Sequence, residues 1–234
     1  MTFIHRFVRR RTAHGAAIAA LLLAPGTLAA QEDRLAAKLD GQTHVAVMRS
    51  LDAAREHGLP LDPLVNKALE GATKRAPGPR IEAAVDTLLR RLEVSRAALA
   101  PSPSERDIAA GADALGYGVT RDALASMRTI RPRGSLAVPL AVLTQLVASG
   151  VPVARATIVV AELIRRGARD EQLIALSDDV RWYIASGASP EAALDVRTRG
   201  LNAVLPPAPA AAGAAADFSN NAPGIQSAGG RKRP

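Results

Sequence analysis

The sequence predicts an all-α chain, and three observations carry that prediction. Between Gln31 and Leu205 apolar residues recur every three or four positions, with no convincing period-two alternation of β-branched and aromatic residues. Gly118, Gly150, Gly167 and Gly187 each follow one periodic segment and precede another, and each is followed by a small or apolar residue. Hydrophobic residues make up 48% of the 234-residue chain and charged residues 22%, so there is apolar material for a real core. The architecture expected is an irregular multi-helix bundle or a short α-solenoid-like array of helical hairpins with glycine-capped tight turns. The Trp, Gly, Tyr and Pro pattern of tetratricopeptide units and the Thr-Pro-Leu-His phrase of ankyrin units are not found, which favours the bundle.

The elements follow in order. Residues 1–30 read as a cleavable signal peptide: Arg6 and Arg9–Arg11 precede the short apolar run Ala16–Pro25, and Gly26–Ala30 supplies small residues for cleavage. That run is too short to span a membrane, which takes about twenty apolar residues. Arg9–Arg11 also admits the twin-arginine route, although Thr12, Ala13 and His14 favour export of the unfolded chain. A helical domain is expected over 31–205, divisible into sub-bundles 31–100 and 104–205. Its first helix is Asp40–His57, with Val45, Met48, Leu51 and Ala54 or Arg55 marking one side and Gly58 and Pro60 ending it. Asp62–Lys74 is the second, opened by Asp62 and Pro63.

After the turn Arg75–Pro79, residues Ile81, Val85, Leu88, Leu92 and Leu99 form a narrow apolar stripe interrupted by Ser95, on the longest helix of the chain. Pro101 and Pro103 stop it. Ser102 with Glu105 has the spacing of a capping box, and Ser104 is an equal candidate for the cap. Gly118 to Gly150 must hold two helices broken near Arg131–Gly134, with Pro139 in the first turn of the second. The core positions predicted in the later helices are Leu136, Leu140, Leu143 and Val147; Val153, Ile158 or Val159, and Leu163; Leu173, Leu176, Val180 and Ile184. Residues 206–234 are dominated by Pro, Ala, Gly, Ser and Asn and read as a disordered tail ending in Arg231-Lys232-Arg233.

Composition removes several functions. The absence of cysteine excludes disulfides, thiolate metal sites and cysteine nucleophiles, and 3% aromatics leaves little for base stacking. The net charge of +8 belongs mostly to the ends, since 31–204 carries 23 basic and 21 acidic residues. A nucleic-acid partner is therefore not expected. No metal or cofactor is expected either. His44 lies one helical turn from Asp40 and His57 thirteen residues beyond, which falls short of a four-ligand site. Asp178 and Asp179, adjacent on a helix, point about 100° apart. Glu70 with Lys67 and Lys74 makes an exposed ion-pair ladder; with Asn66 the same residues could form a polar recognition patch. Trp182 reads as a core-edge anchor or a partner contact.

The phrase Gly58–Lys74 (GLPLDPLVNKALEGATK), with Pro77 and Arg80-Ile81 after it, resembles a phrase of exported all-α bacterial proteins of no known activity. The resemblance implies an exported all-α protein and transfers no site residue. The function expected is a non-enzymatic binding or interaction protein of the cell envelope, periplasmic or extracellular, with a protein or envelope component as partner. The alternatives are an envelope hydrolase built from scattered Asp, Glu, Ser and Arg, or a carrier of small apolar ligands. No catalytic motif selects catalytic residues. The tail's three basic residues would add weak contact with an anionic surface.

Overall fold

A computed structural model describes residues 33–207 and shows an all-α, multi-helix fold. The expected signal peptide, 1–30, and all but the first two residues of the expected tail lie outside the described residues. After one helical turn over 33–36 come α1 (Gly41–Glu56), α2 (Asp62–Thr73), α3 (Gly78–Ala98), α4 (Glu105–Gly116), α5 (Arg121–Ile130), α6 (Ala137–Ala148), α7 (Val153–Arg165), α8 (Asp170–Ala185) and α9 (Pro190–Val204). Among the described residues, the main packing runs only between helices one or two places apart in the chain. Thus α1 rests on α2 and α3, α3 on α2, α4 and α5, α4 on α6, α5 on α7, α6 on α7 and α8, and α8 on α9. Near-neighbour packing of this kind belongs to an array of stacked hairpins. Among the described residues no helix is long and apolar enough to cross a membrane.

The turns explain the array. After Gly118 and Gly150, the N–H of Val119 reaches the carbonyl of Ala114 at 3.1 Å and that of Val151 reaches Leu146 at 3.1 Å. Each glycine's own N–H bonds the carbonyl three residues back. Both glycines are left-handed, at φ +92° and +95°, which a side chain would oppose. The same pair of bonds closes α1, α7 and α8 over Gly58, Gly167 and Gly187. Leu59, Val119 and Val151 are buried, so closing the helix and filling the core are one event. One helix end closed by the same pair of bonds lacks the glycine. α2 closes with Ala76 N–H on Gly71 and Arg75 N–H on Ala72, both at 3.0 Å, but its left-handed residue is Arg75, at φ +52°.

Helix starts also follow side-chain chemistry. Asp40, Thr120 and Ser189 accept from the N–H three residues on. At α4 the cap is Ser104, not Ser102. Its Oγ accepts from Asp107 N–H, and the Asp107 carboxylate accepts from Ser104 N–H, each at 3.1 Å, so Asp107 and not Glu105 completes the box.

Buried side chains form two clusters. One gathers Leu35, the inner faces of α1–α3, and Ile108 and Ala112 of α4; the other runs from Ala98 and Leu99 through α4 to Leu194 of α9. The α3 stripe is buried as expected, and Ser95 in its gap is fully buried too, donating to the carbonyl of Ile108 at 2.8 Å. On α1 the expected face is turned. Val45 is 59% exposed, while Thr43, Val47, Ser50, Leu51 and Ala54 are buried. Two polar residues take inner positions because each hydroxyl is satisfied, Thr43 on Asp40 and Ser50 on Asp86, both at 2.7 Å. In the later helices the predicted positions are buried with three adjustments. Leu146 is more deeply buried than Val147, Val159 is chosen over Ile158, and Val153 and Ile184 sit at the core edge.

The two clusters meet at α3 and α4. A Cβ on Gly111 would stand 2.1 Å from Ser95 Oγ, so only a glycine lets these helices approach so closely. Beside it Asp107, almost wholly buried, accepts from Ser135 Oγ and from Leu136 N–H, both at 2.7 Å, with Arg128 at 3.7 Å. Burial would raise the Asp107 pKa, but the bonds from Ser135, Ser104 and Leu136 outweigh it and hold the carboxyl below its ordinary value. One side chain thus ties the starts of α4 and α6 and the end of α5. At the far end, Arg166 donates to the carbonyls of Asn202, Leu205 and Pro206 at 2.7 to 2.9 Å, so the grip reaches the first residue of the expected tail.

Candidate functional site

A roomy polar cleft lies where α2, α3 and α4 meet. It encloses about 690 Å³, and each helix contributes a polar pair one turn apart: Asn66 and Glu70, Thr87 and Arg91, Asp113 and Tyr117. Lys67 stands between the first two, and Leu88 gives the floor an apolar patch. These side chains are free to face the cleft because the opposite faces are committed to the core, through Leu64, Val65 and Ala68 on α2 and Ile81, Val85 and Leu92 on α3.

The charges in the cleft are of both signs. Glu70 accepts from Lys67 Nζ at 2.7 Å and also from Lys74, and these two lysines hold its carboxyl down to about 2. The ladder read from the sequence therefore exists, and it forms one wall of the cleft. Arg91 lies with its guanidinium against α4, where a Cβ on Gly116 would come within 3.0 Å of Nη1. Asp113 opens to solvent, yet the protein around it raises its carboxyl above the ordinary value; Lys67 and Arg91 pull the other way without cancelling this. Tyr117, at the end of α4, is half exposed.

Other residues singled out in the sequence fall elsewhere. His44 is in the first turn of α1 and His57 caps its last, about 20 Å apart along a helix rising about 1.5 Å per residue. Asp40 spends its carboxylate on Thr43, and its pKa is lowered by those bonds. His57 Nδ1 pairs with Glu93 at 3.0 Å. Asp178 and Asp179 pair with different arginines, Arg181 and Arg197. Trp182 is 62% exposed, stacked edge-on against Tyr183 with ring centres 5.0 Å apart, so it is not the core-edge anchor expected of it. The neighbouring Val180 takes the inner position, and Trp182, two residues on, must face outward.

No known protein family, curated protein or solved structure matches the chain. The cleft is therefore read from its own chemistry. Sequence reasoning found Asn66, Lys67 and Glu70 but missed Thr87, Arg91, Asp113 and Tyr117. The signal available was the recurrence of polar pairs four apart on three successive helices, each beside an apolar stripe.

Proposed function

We propose that this chain is an exported, non-enzymatic binding protein of the cell envelope that takes a protein partner in the α2–α3–α4 cleft. The observation that carries the reading is the convergence of Asn66, Lys67, Arg91, Asp113 and Tyr117 on one open cleft. Charges of both signs, with amide and hydroxyl groups between them, suit a polypeptide segment bearing its own mixed charges. Export is the reading of residues 1–30, with their arginines, short apolar run and small-residue exit.

Crosslinked co-purification from the envelope tests the binding. The chain ending at Pro207 is compared with the chain ending at Pro234; the shorter one keeps the Arg166 contacts to Leu205 and Pro206. A partner held by both supports the cleft, and a partner lost with 208–234 moves the function to the tail. N-terminal sequencing of the protein recovered from the envelope tests export. A start near Gln31 is expected, and an uncleaved Met1 refutes it.

A second reading has one observation in its favour. Asp113 keeps its proton to higher pH than an ordinary carboxyl and stands in a cleft, as a general acid does. A hydrolase would then use Asp113. Turnover of an envelope substrate by the purified chain, abolished by Asp113→Asn, would replace the binding reading with this one.

A further inference from the structure

The chain between 31 and 204 is close to neutral, with 23 basic and 21 acidic residues, yet its cations are not evenly spread. At the α2–α3 turn a groove of about 430 Å³ is lined by Lys67, Lys74, Arg75 and Arg80, with Glu70 the one carboxylate in its walls. Glu70 is already held by the two lysines. Arg75 and Arg80 are exposed, and among the described residues neither guanidinium has an ion-pair or hydrogen-bond partner.

The backbone at Arg75 sharpens the observation. Five helix ends closed by the same pair of bonds carry glycine as their left-handed residue, at Gly58, Gly118, Gly150, Gly167 and Gly187. Arg75 occupies that position at φ +52°, where a side chain works against the backbone. Glycine would close the turn without that cost, so the guanidinium stands here at the expense of local stability. Two unpaired planar forks beside a lysine match the oxygens of a phosphoryl group, which arginine grips with two parallel bonds.

We propose that this groove binds a phosphoryl group, with Arg75 and Arg80 as the two forks and Lys74 as the supporting charge. The groove shares Lys67 and Glu70 with the α2–α3–α4 cleft, but neither arginine lines that cleft, so Arg75 and Arg80 probe this site alone. A soluble phosphate ester and a lipid headgroup present the same oxygens. The test therefore has two arms: calorimetric titration of the full chain with glycerol 3-phosphate, and co-sedimentation with phosphatidylcholine vesicles with or without phosphatidylglycerol.

Saturable binding in either arm, weakened about tenfold by Arg75→Gly and by Arg80→Gln, is expected. Binding in the titration alone assigns a soluble ester, and binding to anionic vesicles alone assigns a headgroup. Arg75→Gly should at the same time raise Tm by about 2–4 °C, which separates lost binding from lost folding. Arg231, Lys232 and Arg233 are untouched in both variants, so vesicle attachment through them would persist. Binding that neither substitution weakens, or none in either arm, would overturn the proposal.

Discussion

The two halves of the molecule differ in what their helices do with glycine. In α1–α4, besides the turn glycine Gly58, three glycines lie within helices and serve close approach. A Cβ on Gly71 would meet Ile81 at 2.8 Å, one on Gly78 would meet Thr43 at 2.1 Å, and one on Gly111 would meet Ser95 at 2.1 Å. From α5 onward Gly134, Gly150, Gly167 and Gly187 sit between helices, and a Cβ on Gly167 or Gly187, or on Gly200 inside α9, would meet nothing within 4 Å. To its own apolar cluster the first half adds backbone contacts against side chains such as Thr43 and Ser95, and it leaves grooves lined with charge. The second packs Leu, Val and Ile against one another and keeps its charges in outer pairs such as Arg155 with Asp195. Close approach by small residues fixes where helices touch and leaves the long polar side chains beside the contact facing the grooves. Large side chains fill the space between helices and give stability.

The largest test of this contrast falls at the seam. Asp107→Ala removes the α4 capping partner and leaves Leu136 N–H and Arg128 without their carboxylate, and should cost about 3–5 kcal/mol in urea denaturation. A loss under about 1 kcal/mol would mean the two clusters hold together without it. Next comes Gly111→Ala. Helix propensity alone favours alanine by about 1 kcal/mol, yet the clash with Ser95 should make the variant about 1–3 kcal/mol less stable. Ser95→Ala in the same chain should return part of that loss, because the nearest atom is the Ser95 hydroxyl. Gly167→Ala should cost about 1 kcal/mol through backbone conformation alone, with no neighbouring substitution able to rescue it. If a neighbour does rescue it, the distinction between the two uses of glycine fails.

Acid provides a gentler probe. Asp107 and Glu70 have folded-state pKa values below their unfolded ones, so both contribute stability above the unfolded carboxylate range. That contribution is lost as the pH falls through the folded values, for Glu70 from about 4.5 down toward about 2. Asp113 has the opposite sign. Its folded pKa is raised, so its charge opposes folding at neutral pH, and Asp113→Asn should stabilise there with a gain that vanishes on acidification. A variant whose advantage persists unchanged in acid would show that Asp113 is not strained by the cleft. Smallest of all, Trp182→Ala should change stability by no more than about 0.5 kcal/mol, since the ring lies outside the core.

Much of the fold was legible because it is written in local chemistry. Gly118, Gly150, Gly167 and Gly187 mark helix ends through the left-handed backbone they permit, and the Ile81 to Leu99 stripe marks a face by its spacing. What failed depends on contacts distant in sequence. The inner face of α1 carries Thr43 and Ser50 in place of Val45, and nothing near Ser50 announces that Asp86 will satisfy its hydroxyl. Ser95 reads as a gap in an apolar stripe, because only the packing of α4 on α3 brings Gly111 against it. The cleft was half visible for the same reason. Asn66, Lys67 and Glu70 share one helix and could be read together, whereas Arg91 and Asp113 join them only through the packing of α3 on α2 and α4.

The central claim is that recognition belongs to the first half and support to the second. It is tested most directly by one charge reversal in each, Arg91→Glu in the cleft and Arg181→Glu beside Trp182, compared in crosslinked co-purification from the envelope. The account predicts that Arg91→Glu loses the captured partner while Arg181→Glu keeps it, with both variants folded by circular dichroism. Loss with Arg181→Glu and retention with Arg91→Glu would place the binding surface on α8 and contradict it.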